Sequence, residues 1–156
     1  MAGLIQRLLP ARGESSERER APGPLCPRVL VVSADVRFYA DVLSAVNSRV
    51  WRADWARSLE SAVEVSKAGA IPIVVYDENL PDNDWRDAFR RLAQLTHRPR
   101  LLLAAREVDE QLWCRVLLSR GYDVVPRKAD STQMRRTLRF AWMSVCEVSE
   151  PGRAID

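Results

Sequence analysis

The sequence predicts an α/β domain in which a parallel sheet is enclosed by helices on both faces. Three observations carry that prediction. Short apolar runs, Val29 to Val32, Ile71 to Tyr76 and Leu101 to Ala105, are too continuous for strands with one wet face and suit strands covered on both. Between them lie segments whose apolar residues repeat at three and four, the mark of amphipathic helices. Glycine and proline punctuate the alternation: Gly69 and Gly121 stop helices, and Arg98-Pro99 and Pro151-Gly152 follow others.

Each element has its own justification. Order is expected from Arg28, where the run Val29-Leu-Val-Val32 begins. Asp35 suits the cap of a first helix whose apolar positions Val36, Tyr39, Ala40, Leu43 and Val46 repeat at three and four. Trp51 to Ala56 is a weaker strand. Ser58 caps a second helix bearing Leu59, Ala62 and Val63. Ile71 to Tyr76 is the third strand, ending in Asp77. A third helix starts near Trp85, with Ala88, Phe89 and Leu92 inward. Leu101 to Ala105, then a helix over Val108 to Arg120, then Tyr122 to Val125 continue the pattern. Asp130 followed by Gln133 reads as a capping box opening a last helix with Met134, Leu138, Ala141 and Val145 along one side. Five strands alternating with five helices imply right-handed crossovers.

Length and composition agree. The 156 residues suit one domain, and 47% hydrophobic with 29% charged residues is a core-forming mixture. A net charge of +3 without a basic block argues against nucleic acid as a partner. Cys26, Cys114 and Cys146 are scattered, with no C-x-x-C, and fit reduced thiols of a cytoplasmic protein. No apolar run is long enough for a membrane span. The start, Met1 to Pro10, reads as a frayed terminus, although Leu4, Ile5, Leu8 and Leu9 could form a short amphipathic turn. Residues 1–27 as a whole read as a solvated, disordered extension, 28–147 as the domain and 148–156 as a flexible tail.

One segment carries the functional signal. Ile71 to Tyr76 ends abruptly in Asp77, followed by Glu78-Asn79-Leu80-Pro81 and the acidic turn Asp82-Asn83-Asp84. A buried strand thereby delivers one carboxylate to the sheet's C-terminal edge, where ligands bind in open α/β folds. With Gly121-Tyr-Asp-Val-Val-Pro126 and the order of elements, residues 28–147 resemble the CheY-like receiver domains of two-component response regulators. The resemblance implies a flavodoxin-like, three-layer doubly wound sheet of order 2-1-3-4-5, with Asp77 on the phosphoacceptor position.

The same resemblance exposes departures. Receivers hold magnesium with acids just after the first strand, and the matching residues here are Ser33 and Ala34. Asp35 is nearby but is expected to cap a helix; with Asp77 and the Asn79 carbonyl it could contribute to a metal site only after a one-residue shift. The switch hydroxyl of the family falls on Ala104, and its lysine on Arg127 or, with a shift, Lys128. The expectation is an atypical receiver, not an enzyme and without a cofactor. It would act in phosphorelay signalling by docking on a histidine kinase or an output protein. Asp77, weakly phosphorylated or not at all, would pair with Arg127 or Lys128. The alternative is an active phosphoacceptor that takes phosphate from a histidine kinase with Mg2+. A flavin-binding protein of this topology is disfavoured, because Ser33-Ala34-Asp35 is too short and poor in hydroxyls to wrap a phosphate. Trp113, Arg135, Arg139 and Trp142 are candidates for the interaction surface, which would also serve a homodimer through the last helices. Trp85 is expected in the core or at the crevice rim, and His97 as a loop residue.

Overall fold

The computed structural model describes residues 26–149. The predicted extension up to residue 25 and the tail from residue 150 lie outside the described residues. The elements run β1 (Arg28–Val32), α1 (Val36–Ala45), β2 (Arg52–Ala56), α2 (Leu59–Ala68), β3 (Ile73–Asp77), α3 (Trp85–Ala93), β4 (Arg100–Ala105), α4 (Glu110–Leu118), β5 (Asp123–Pro126) and α5 (Ser131–Ser149). All pairings are parallel and the sheet order is β2-β1-β3-β4-β5. This is the expected fold.

Strand alternation divides the core. Val29, Val31, Ile73, Val75, Leu102, Ala104 and Val125 point to one face, under α1 and α5. Leu30, Val32, Val74, Tyr76, Leu101, Leu103 and Val124 point to the other, under α2, α3 and α4. The central strands are buried on both faces, which is why they read as unbroken apolar runs.

Helix starts follow side-chain capping chemistry. Asp35, Ser58, Asp84 and Asp109 each accept a hydrogen bond from a backbone N–H of the first turn that follows. Asp130 likewise accepts from the Gln133 N–H at 2.8 Å. Gly121 is required where α4 turns into β5: a Cβ there would lie 2.9 Å from the Val116 carbonyl oxygen and 2.3 Å from its side chain.

Some boundaries differ from expectation. Pro27 already joins the sheet edge, accepting from the Arg52 N–H at 2.9 Å. Val148 and Ser149 belong to α5 rather than to a tail. The first helix has the expected period. Phe38, Val42 and Ala45 are its buried residues, whereas Val36 and Leu43 are exposed, and Val46 is buried just past the end. Two apolar stripes compete on this helix, and the one holding the bulky Phe38 faces the sheet. Trp85 is in the core, edge-on to Phe89 at 5.4 Å between ring centroids.

Candidate functional site

The alternation that builds the core also assembles the site. Val31 and Val75 face the α1/α5 layer, so Ser33, just past β1, and Asp77, the last residue of β3, emerge on that side. Val125 faces the same layer, and Arg127, two residues on, extends back across it. Three sequence-distant residues therefore meet at the C-terminal edge of the sheet.

Asp77 is 2% exposed, and its carboxylate is fully engaged. Oδ2 accepts from the Ser33 hydroxyl at 2.6 Å and from Arg127 Nη2 at 3.0 Å. Oδ1 accepts from the Asn79 N–H at 2.9 Å and lies 3.0 Å from Arg127 Nε. The Nε contact is an ion pair only, because its N–H is not aligned as a hydrogen bond. A carboxylate offers about four acceptor positions, and each has a neighbour. The short Ser33 bond and the guanidinium contacts are of the charge-assisted kind, the stronger class.

The surroundings hold this arrangement in place. Arg127 Nη2 also donates to Asp35 Oδ2 at 3.2 Å, and the guanidinium carbon lies 5.3 Å from the centre of the Phe38 ring. Ser33 Oγ accepts from the Asp35 N–H at 3.0 Å while donating to Asp77. The Ser33 carbonyl accepts from Trp55 Nε1 at 2.8 Å, and Trp55 is stacked on Tyr39 with Arg57 against its ring. Asp35 is the helix cap foreseen from its position. The Arg37 N–H is the main cause of a carboxyl pKa below the ordinary value; burial opposes that shift and Arg127 adds to it.

Arg127, not Lys128, is therefore the cation beside Asp77; Lys128 is exposed. Ala104 lies next to Asp77 across the β3–β4 pair, fully buried, and offers only a methyl group. Asn79 contributes its backbone N–H, and its residue is otherwise exposed. Among the described residues no group of three or more His, Cys, Asp or Glu is arranged to hold a metal ion. The donor set beside Asp77 does not fit a dication either. A fixed guanidinium already lies within 3.2 Å of both Asp35 and Asp77 and would have to be displaced.

The candidate interaction residues separate. Trp113 is 46% exposed on α4. Arg135 and Arg139 are both exposed on α5, and Arg135 also donates through Nε to the Ala45 carbonyl at 2.9 Å at the end of α1. Trp142 is half-buried, edge-on to Trp51. The exposed apolar residues of α5 are Phe140, Met143 and Val148, which sequence reasoning passed over. Ser33 was also missed as a partner of Asp77. A hydroxyl one residue past a buried strand, level with an acid at the tip of the neighbouring one, was the available signal.

No family model matches the chain, and no curated protein sequence does. Solved structures do. The chemotaxis response regulator CheY4 of Vibrio cholerae superposes with a TM-score of 0.69 at 11% identity, covering 75% of this chain and 99% of that one. The signal receiver domain of an HD domain-containing protein from Pseudomonas fluorescens Pf-5 gives 0.70 at 18% identity, covering 85% and 98%. A response regulator from Thermotoga maritima gives 0.68 at 16% identity, covering 75% and 98%. The chain has the CheY-like receiver fold.

Proposed function

We propose that this chain is an atypical receiver of a two-component pathway that acts in the cytoplasm by docking on signalling proteins, with phosphorylation of Asp77 weak or absent. The observation that carries this reading is the saturated carboxylate. Phosphoryl transfer onto an aspartate needs a free oxygen as nucleophile and a cation to offset the charge brought together. Here both oxygens of Asp77 are engaged, and the charge is already balanced by Arg127. Ala104 supplies no hydroxyl to an incoming phosphoryl group.

A typical receiver uses phosphorylation to bias a two-state surface. With Arg127 as a built-in cation, one arrangement is held without phosphate or metal, and partner binding becomes the signal. The helices on either side of β5 suit that role. Trp113 and Leu117 on α4 and Phe140 and Met143 on α5 are all exposed, and Arg136 lies against the Phe140 ring at 5.8 Å. Exposed aromatics beside arginines are common anchors at interfaces. The partners proposed are a histidine kinase, an output protein or a second copy of the chain.

Mass spectrometry after incubation with acetyl phosphate and Mg2+, alongside Asp77→Asn, tests the site. No phosphoryl adduct is expected on either protein. An adduct on the natural chain that disappears in the variant would establish the phosphoacceptor reading instead.

A further inference from the structure

At the opposite end of the sheet from Asp77, a cavity of about 330 Å³ opens between the α3–β4 loop, the approach to β3 and the last turns of α5. That volume is at the lower end of ligand-binding pockets, roughly 300–1,000 Å³. Its wall is two-natured. Pro72, Val145 and Val148 form an apolar side, while His97, Arg98 and Arg100 bring polar and cationic groups.

Three features of this cavity point to a ligand. His97 Nε2 is buried and has no hydrogen-bond partner among the described residues. A buried polar atom left this way carries a desolvation cost and calls for an occupant. Burial lowers the His97 pKa and so favours the neutral ring. In that ring Nε2 is a donor in one tautomer and an acceptor in the other, and a hydroxyl group answers either. Arg98, the second feature, is held at φ 44°, a left-handed conformation that a side chain this large rarely adopts. The third is Arg100, which donates through Nε and Nη2 to Ser144 at 2.8 and 3.2 Å and is thereby fixed on the cavity wall.

We propose that this basal cavity binds a small hydroxy acid. Its hydroxyl would hydrogen-bond His97 Nε2, its carboxylate would meet Arg98 and Arg100, and a short apolar or aromatic body would lie on Pro72, Val145 and Val148. Each part of the ligand answers one part of the wall. The site is remote from Asp77 and independent of whether that residue is ever phosphorylated.

The probe is 4-hydroxybenzoate, titrated into the full chain and followed by ligand-observed NMR, with benzoate and phenol as controls lacking one group each. Saturable binding is expected for 4-hydroxybenzoate, weakened on the order of tenfold or more when either group is missing, since a lost hydrogen bond leaves its partner unpaired. His97→Phe retains a ring of similar size but removes Nε2. Arg98→Gly removes the guanidinium while suiting the backbone, so its fold is kept. Both should lose the same affinity, with circular dichroism and thermal midpoints confirming that each variant is folded. Absence of saturable binding overturns the proposal. So does equal binding of the controls, or binding unchanged in folded variants. Contacts between the His97 ring and the methyl groups of Leu4, Ile5, Leu8 or Leu9 in the free protein would also overturn it, by making the chain's own N-terminal segment the occupant.

Discussion

Arg127 decides the character of the site. It pairs with Asp77, which is buried, and with Asp35, which is partly exposed, so two carboxylates share one guanidinium. Removing it as Arg127→Met leaves Asp77 without its cation in an almost dry position. Breaking a buried pair costs several kcal/mol; with the Arg127 side chain 22% exposed, a loss of about 3 kcal/mol is expected in urea unfolding. Combining Arg127→Met with Asp77→Asn should recover part of that loss, with a coupling on the order of 1–3 kcal/mol. Additive costs would show that the pair is not coupled. Tyr76 gives a second residue-scale prediction. Burial first, then the charges of Asp77 and Asp84, push its phenol up to about 12 from an ordinary 10.0. A raised pKa means that its contribution to stability is complete below pH 10.0 and fades as pH rises through about 12. Ultraviolet titration should find one tyrosine ionising late, and Tyr76→Phe should remove that late step. Ionisation of every tyrosine near the ordinary value would contradict this.

At the scale of the element, the first helix separates pattern from placement. Its three-and-four spacing was legible, but its apolar residues support two neighbouring faces, and sequence alone did not choose between them. The sheet chose the stripe of Phe38, Val42 and Ala45. Phe38→Ala should therefore cost about 3–5 kcal/mol, as a truncated core aromatic, and should also loosen Arg127 above it. Leu43→Ala, on the other apolar stripe, should cost well under about 1 kcal/mol. Equal costs in thermal unfolding would mean the helix is rotated from the face described. α5 shows a related effect. Met134, Leu138 and Ala141 were readable as its core side. Arg135 and Trp142, expected on a partner-facing surface, also make contacts within the fold, with the end of α1 and with Trp51, that no local pattern announced.

For the whole molecule, the receiver fold separates a closed site at one end of the sheet from exposed helix faces around β5. If signalling passes through those faces, Trp113→Ala and Phe140→Ala should leave unfolding midpoints nearly unchanged, as surface substitutions do, while weakening partner binding or self-association more than tenfold. Size-exclusion chromatography across a concentration series, together with binding to candidate kinases, measures this. Undiminished association in the double variant would exclude the α4 and α5 faces. Incubation with acetyl phosphate and Mg2+ should change the same association little, because the site is held without phosphate.

By itself the sequence determined the alternation of strands and helices, the cap residues and the acid at the tip of the third strand, because these follow from periodicity and local hydrogen bonding within a few residues. Its resemblance to receivers implied Arg127 or Lys128 as the cation beside Asp77. Only tertiary structure decided that Arg127 takes the place, that Ser33 donates to Asp77, and which side of α1 is dry. Those outcomes depend on residues 44 to 92 positions apart meeting across sheet and layer, and no local pattern encodes which of several compatible groups arrives first at a buried charge.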